Sequence, residues 1–192
     1  EFIYTDEVKI TTMDKPRFDP HFKPDFAIDT LRSNNYICHF SVFRKDLMEK
    51  LGGFRSKYDG AQDYDIIIRM AENAKNIKHI PKILYHWRVH EQSTAKAADA
   101  KPYAFEAGIP VLEDHLKRVG LEGTVKHGAT LGTYEIDYKV KGNPKVTILI
   151  PNMDQAKTLK TCIDSVLKLT TYQNYEIAII ENNSKEKATF EY

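Results

Sequence analysis

Apolar residues follow two different spacings along the chain of 192 residues, and this mixture predicts an α/β protein. A helical spacing is clearest at residues 63–74, where Asp63 occupies the position of a helix cap. Further helices are predicted at residues 45–51 and 101–119, and a short helix that reaches Arg32 could be capped by either Asp25 or Asp29. Strands are predicted at residues 2–4, 36–43, 77–80 and 83–87, the last two being either separate or one strand bent at Pro81.

Two stretches near the start of the chain are predicted to be irregular. Pro16, Pro20 and Pro24 indicate an extended loop, because proline cannot continue a helix. Residues 4–7 (Tyr-Thr-Asp-Glu) either offer carboxylates at the end of the first strand or form a solvated turn.

The pattern changes after Gly123. Residues 123–143 are rich in glycine around an alternating run at 134–140, which predicts a connector that carries a hairpin. Two apolar runs at 145–150 and 175–181 enclose an amphipathic helix at 155–169, so a parallel βαβ unit is expected, with no helix after it. Two strands alone make no stable sheet, so we expect this unit to dock on the sheet of residues 1–120 or to exchange into a homodimer.

Charge and composition exclude several classes of partner. Lys and Arg number 28 and Asp and Glu number 27, so the net charge of +1 does not favour nucleic acid. No apolar run approaches the roughly 20 residues of a transmembrane helix. Cys38 and Cys162 lie in apolar runs, where reduced buried thiols are ordinary, so a reducing compartment is expected.

Polar residues follow both strands of the predicted βαβ unit. Ligands of open parallel sheets bind beyond the carboxyl ends of the strands, where carboxylates and amides suit a ribose or a base. The residues at this edge are Pro151, Asn152, Asp154, Glu181 and Asn182. The structural alternative is that Asp154 caps the following helix and that residues 182–183 form a turn.

Asp63 and Asp65 mark a second candidate site at the start of the 63–74 helix. A carboxylate there serves either as a cap or as a general base. Asp65 and Arg69 stand four residues apart and are predicted to form a surface ion pair.

The run Tyr85 to His90 is a third candidate. His86 and His90 share one face of a continuing strand and could hold a divalent cation, although packed or solvated histidines are the ordinary alternative. Trp87 and Arg88 could stack on a ring or clamp a phosphate, and a half-buried strand would also accept both.

Several motifs together resemble family 2 glycosyltransferases of the GT-A fold, in the arrangement of bacterial tandem-domain enzymes that build surface polysaccharides. The motifs are YTDEVKI at 4–10, FDPHFKPDF at 18–26, NNYICHFSVFRKDL at 34–47, GGFRSKYDGAQDYDIIIR at 52–69, HIPKILYHWRVHEQST at 79–94, KVTILIPNMD at 145–154 and YEIAIIENNS at 175–184.

The order of these motifs is inverted relative to one such domain, which implies a segment of a tandem protein. The resemblance implies the acceptor-side half of a GT-A domain at 1–122, a connector at 123–144, and the nucleotide-binding βαβ start of the next domain at 145–192. The expected fold is therefore α/β, Rossmann-like, with a mixed sheet flanked by helices and a C-terminal βαβ unit.

The resemblance also implies roles for individual residues. Asp63 matches the general base, and His90 matches a metal ligand or a contact of the donor diphosphate. Gln62, Asp65, Trp87 and Arg88 are expected to contact acceptor or donor, and the five residues of the βαβ loops are expected to surround base and ribose. Residues 181–184 read Glu-Asn-Asn-Ser where the family often has Asp-Asp-Gly-Ser.

The implied activity is transfer of a sugar, with inversion, from a nucleotide-sugar donor to a glycan or lipid-linked acceptor. It would use Mg²⁺ or Mn²⁺ in the cytoplasm or at the inner face of the membrane. The Asp-X-Asp motif that binds this metal is expected outside the chain, so the segment alone is predicted to be inactive. The alternatives are a noncatalytic glycan-binding or assembly module and a metal hydrolase that uses His86 and His90.

Overall fold

A computed structural model describes residues 1–11, 16–89 and 102–192 of the chain, which divides into two units, residues 1–139 and 140–192. The first unit is built on a mixed sheet whose central strand is β1 (Phe2–Ile10). β4 (Ile77–Arg88) runs parallel to β1 along its whole length. On the other edge of β1, β3 (Ser41–Phe43) and β2 (Phe18–His21) pair antiparallel with its first and last parts. The predicted mixed α/β fold is confirmed.

β1 is longer than expected, and of the two alternatives for residues 4–7 the solvated turn is wrong. Thr5, Asp6 and Glu7 are between 2% and 5% exposed inside the strand. The sequence pattern hid this strand because its buried positions include charged residues, and these are satisfied by partners that lie far away along the chain.

The bounds of other strands also differ from those predicted from the sequence. Only Ser41–Phe43 of the predicted 36–43 strand is extended in the sheet, although Tyr36 and Ile37 are buried. The predicted proline-rich loop contains the short strand β2, and β4 continues through Pro81 as one strand.

Helices of the first unit share one apolar core with the sheet. They are α1 (Ile28–Ser33), α2 (Lys45–Lys50), α3 (Gln62–Asn73), α4 (Pro102–Glu106) and α5 (Gly108–Val119), with a 3-10 turn at Ser56–Tyr58. In α3, Ile66, Ile67 and Ile68 are all at most 1% exposed, so three successive positions face the protein interior. The single helix predicted at 101–119 is instead two helices, α4 and α5.

A hairpin of β5 (Gly123–His127) and β6 (Tyr134–Tyr138) belongs to this unit and packs on its core through Val125 and Tyr134. Tyr134 approaches the first residue of α5 closely, since a Cβ built on Gly108 would clash with the Tyr134 hydroxyl oxygen. Glycine at 108 therefore allows the hairpin to lie against the helix.

The second unit contains β7 (Val146–Asn152), α6 (Ala156–Leu169), β8 (Tyr175–Glu181) and the short α7 (Lys187–Glu191). β7 and β8 are parallel and in register from Val146 opposite Tyr175 to Asn152 opposite Glu181, as predicted for a βαβ unit. The expectation of no helix after β8 is wrong, because α7 follows it.

Across the described residues, no helix is both long enough and apolar enough to span a membrane. Cys38 is half-buried and Cys162 is exposed, and both are free thiols. The predicted burial of Cys162 is therefore wrong.

Candidate active site

Asp63 lies in the first turn of α3 and is half-buried. The helix begins one residue earlier than predicted, with Ala61 at the N-cap and no side-chain capping bond. The Asp63 carboxylate instead accepts a hydrogen bond from the Asn35 amide nitrogen, with 3.0 Å between Nδ2 and Oδ2. The interpretation of Asp63 as a cap is therefore wrong, because its side chain is turned away from the helix backbone and towards Asn35.

An open cleft of about 600 Å³ lies beside Asp63. Its lining comes from the loop before β3, the start of α3, β4, α4 and the turn of the β5–β6 hairpin. Asp63 also lines a neighbouring, more apolar pocket of about 290 Å³, which includes Phe40, Phe54 and Tyr85. The carboxylate is thus accessible from two adjoining cavities, a position that suits a group that removes a proton from a bound molecule.

Four other residues were predicted to contact acceptor or donor, and only two of them line the cleft. Gln62 and Trp87 line the larger cleft together with Asp63. Arg88 is exposed on β4 and is not among the residues that line the cleft.

Asp65 is fully buried and lines neither cavity. Arg69, which is 4% exposed, donates to it at 2.6 Å, and the Arg55 guanidinium binds the same carboxylate. Burial alone would raise the pKa of Asp65, but the hydrogen bonds from Arg55 and Arg69 lower it. The predicted surface pair is therefore wrong: Asp65 and Arg69 form an interior ion pair that anchors α3, because the carboxylate points at Arg55 instead of at solvent.

A carboxylate and two histidines form a cluster that the sequence analysis missed. Glu7 Oε2 lies 3.1 Å from Nδ1 of His39, and its Oε1 lies 3.3 Å from Nδ1 of His21. Although burial opposes it, these hydrogen bonds lower the pKa of Glu7 to about 2. An ionised carboxylate only accepts, so His39 carries a proton on Nδ1. His39 lines both cavities beside Asp63.

A second buried cluster supports the first. Nε2 of His79 lies 2.8 Å from Oδ1 of Asp6, which also accepts a bond from the backbone nitrogen of Lys23 at 3.0 Å. The Lys23 ammonium donates to the carbonyl oxygens of Ile37 and His39, and burial lowers its pKa. These bonds hold the loop that presents His39. The adjacent Asp6 and Glu7 were the only sequence signal for either cluster, and their histidine partners come from distant segments.

The predicted metal site is not supported by the described side chains. His90 lies outside the described residues, and His86 has a buried Nε2 with no hydrogen-bond partner within them. Within residues 1–11, 16–89 and 102–192, no group of three or more His, Cys, Asp or Glu side chains could hold a metal ion. The described side chains by themselves therefore provide no site for a divalent cation.

In the second unit, the predicted loop residues come together at the ends of β7 and β8. Asn152, 8% exposed, donates from Nδ2 to Oε2 of Glu181 at 3.4 Å, and its carbonyl accepts from the backbone nitrogen of Asn182 at 2.8 Å. The hydrogen bonds of Ser184 lower the pKa of Glu181. Pro151 and Asn182 are exposed at the same end of the strand pair.

Asp154 links the two loops instead of capping α6. Its Oδ1 accepts from the backbone nitrogens of Lys185 and Glu186, both at 2.8 Å, and Gln155 occupies the N-cap of α6. The capping alternative is therefore wrong, because the carboxylate satisfies donors that precede α7.

These two units define a mixed α/β protein that has a carboxylate in an open cleft and a parallel βαβ unit with polar residues at its strand ends. Part of the chain also matches a known family. Residues 147–190 match the model of glycosyl transferase family 2.

Individual proteins are similar over longer parts of the chain. An uncharacterized protein, y4gI, of Sinorhizobium fredii is 41% identical over 195 residues, which cover 100% of this chain and 21% of that protein. The O-antigen biosynthesis protein RfbC of Myxococcus xanthus is 37% identical over 188 residues, 98% of this chain and 15% of that protein. Chondroitin synthase of Pasteurella multocida is 31% identical over 72 residues, 38% of this chain and 7% of that protein.

The resemblance to family 2 glycosyltransferases that the motifs indicated is confirmed, and residues 147–190 carry the match to the family model. It spans about a fifth, or less, of the length of these relatives.

Proposed function

We propose that the chain is part of an enzyme that transfers a sugar from a nucleotide-sugar donor to a glycan acceptor, with inversion, in the synthesis of a surface polysaccharide. The family supports glycosyl transfer, and the relative named for O-antigen biosynthesis supports a polysaccharide product. The observation that carries the proposal is the position of Asp63, which is half-buried and borders two adjoining cavities.

In this mechanism Asp63 removes the proton from the acceptor hydroxyl as that oxygen attacks the anomeric carbon. The nucleoside diphosphate leaves from the opposite side of that carbon, which inverts its configuration. Asn35 holds the carboxylate through one oxygen and leaves the other available to the hydroxyl. The first turn of α3 favours a negative charge at this position, because its backbone N–H groups are unpaired.

The polar loops of the second unit are proposed to bind the base and ribose of a nucleotide. Asn152 and Glu181 are held by each other, and Asp154 is held by the backbone of residues 185–186, so hydrogen bonds fix the positions of these three side chains. In this proposal residues 145–192 begin a second transferase domain, and residues 1–122 are the acceptor side of a first one.

The central experiment replaces the proposed base by an amide. Asp63→Asn in the full-length protein that contains this segment is expected to reduce sugar transfer by about 100-fold or more, because general-base catalysis commonly contributes that much. The measurement is release of nucleoside diphosphate from a panel of nucleotide sugars in the presence of acceptor.

Asp59→Asn is the matched control, since Asp59 is exposed four residues before Asp63 and is absent from both cavities. Equal transfer by the wild type and the Asp63→Asn protein would exclude the general base. Absence of any transfer from the whole panel would favour a noncatalytic glycan-binding module.

A further inference from the structure

We infer that the cleft of about 600 Å³ binds a pyranose ring of the acceptor glycan, and that α4 and the β5–β6 turn form the wall that selects it. The inference rests on the proposed function and adds an element to it. These two segments lie outside the residues that match the family model, 147–190, and the sequence pattern had placed the hairpin in a connector.

The wall is firmly attached to the helix that carries Asp63. The Tyr134 hydroxyl donates to the carbonyl oxygen of Phe105 at 2.9 Å, which ties the hairpin to α4. The ring of Tyr134 stacks on that of Tyr64, with 5.9 Å between the ring centroids. Tyr64 follows Asp63 directly and is 2% exposed. A wall held by buried rings keeps its shape before a ligand arrives, which reduces the entropy lost on binding.

Two aromatic rings remain available in the cleft. Tyr103 is 57% exposed, and a Cβ built on Gly60 would lie 2.8 Å from its ring, so the backbone at Gly60 supports the ring closely. Trp87 is half-buried on β4 and lines the same cleft. A pyranose ring has an apolar face of C–H groups, and the flat faces of Tyr and Trp are suitable partners for it.

Amide side chains around these rings suit the hydroxyl groups of a sugar. Asn34, Asn35 and Gln62 all line the cleft. The Oδ1 of Asn34 is buried without a hydrogen-bond partner among the described residues, so a rotation that brings it to a sugar hydroxyl breaks no existing bond. Aromatic rings with a few convergent polar groups are typical of small-molecule sites of about 300–1,000 Å³.

The charge of the cleft favours a neutral sugar over a nucleoside diphosphate. Among its described lining residues there is no Lys or Arg, and Asp63 contributes a carboxylate. A diphosphate would meet a negative charge with no cation to balance it, whereas a sugar hydroxyl can donate a hydrogen bond to Asp63.

The test uses Trp87, which is the single tryptophan of the 192-residue chain and lines the cleft. The chain is titrated with cellohexaose, chitohexaose, maltohexaose and a chondroitin hexasaccharide, and separately with UDP and GDP, while tryptophan emission is recorded. We expect a saturable change with at least one hexasaccharide and none with the diphosphates. A response to the diphosphates alone, or to none of these compounds, overturns the inference.

Variants identify the wall. Tyr103→Ala is expected to weaken hexasaccharide binding about three- to tenfold, and Tyr103→Phe to preserve it, because stacking needs the ring and not the hydroxyl. Tyr138→Ala is the matched control, since Tyr138 is a tyrosine of the β5–β6 hairpin that is 43% exposed but does not line the cleft. Circular dichroism verifies that each variant is folded. Equal weakening by Tyr103→Ala and Tyr138→Ala contradicts the assignment of the wall.

Asp63→Asn separates this inference from the proposed function. We expect that variant to retain a saturable saccharide response, because its amide oxygen can still accept a hydrogen bond from a sugar hydroxyl, while transfer by the full-length protein is lost. Loss of transfer without any saccharide response would overturn the sugar-binding cleft and leave the general base standing. A saccharide response together with normal transfer by Asp63→Asn would exclude the general base and leave the sugar-binding cleft standing.

Discussion

Both units of this protein combine helices with strands, but they bury their apolar side chains to different degrees. The first unit has an apolar core that extends from Phe2 to Tyr134 and includes residues of the sheet, the helices and the hairpin. In the second unit, Leu159 is the buried apolar side chain among the described residues, while Leu149 is 63% and Ile180 is 51% exposed. Apolar spacing thus predicted the strands of the second unit more closely than those of the first, but it did not predict how much of each strand is covered.

The unit that matches the family model is also not the unit that has the larger apolar core. The family model matches residues 147–190, within the unit whose strands are more exposed. Asp63 and its cleft lie in the well-packed unit, outside the matched range. The part of a chain that identifies its family is therefore not always the part that holds a candidate catalytic group in place.

The sharpest comparison uses two ion pairs with the same i, i+4 spacing. Asp65→Asn in the first unit is expected to lower the free energy of unfolding by about 3–5 kcal/mol, because it leaves the buried Arg69 without its counter-charge. Asp164→Asn in the second unit breaks the exposed pair with Lys160 and is expected to leave stability unchanged.

Urea unfolding followed by Trp87 emission measures the first variant, and hydrogen exchange of α6 measures the second. Similar effects in the two units would show that burial does not distinguish the pairs.

A second comparison truncates one leucine in each unit. Leu112→Ala removes a side chain that is 0% exposed in α5 and is expected to cost about 2–5 kcal/mol. Leu149→Ala removes one that is already 63% exposed on β7, so little buried area is lost and hydrogen exchange of residues 146–169 should not change. Faster exchange in the Leu149→Ala protein would mean that this strand face is covered in solution.

The smallest expected effect concerns the Glu7 cluster and depends on pH. The folded-state pKa of Glu7, about 2, is below the ordinary value of 4.5, so its stabilisation is complete above about pH 4.5 and is lost as the pH falls towards 2. Glu7→Gln should therefore lower the free energy of unfolding by on the order of 2 kcal/mol at pH 6, with the difference from wild type disappearing near pH 2.

Glu122→Gln provides the control, because Glu122 is 54% exposed in its pair with Lys139. A difference between wild type and Glu7→Gln that stays constant from pH 6 to pH 2 would contradict the hydrogen-bonded, ionised Glu7.

Much of the fold could be predicted from local pattern. α3 was expected at residues 63–74 and lies at 62–73, and the 175–181 strand is β8 with the same bounds. Both segments have a regular apolar spacing and clear boundary signals in the sequence. The structure preferred by the local sequence is therefore the one found in the folded protein. The pattern failed at Thr5, Asp6 and Glu7, where buried charges interrupt the apolar period inside a central strand.

The candidate site could be predicted only in part. Asp63, Gln62 and Trp87 stand out in the motifs and do line the cleft. His39 was missed because its partner, Glu7, is 32 residues away along the chain. The contribution of Tyr103 was missed for a similar reason, since helix α4 reaches Gly60 only in the folded unit.

The sequence by itself indicated the resemblance to family 2, the order of most helices and strands, and the aspartate proposed as the base, because these depend on residue type and on short-range periodicity. Tertiary structure alone decided that Asp65 is an interior anchor while Asp63 is open to a cleft, and that the 123–138 hairpin forms a wall of that cleft. Such distinctions depend on which distant side chains meet each position, and spacing along a chain carries no record of that.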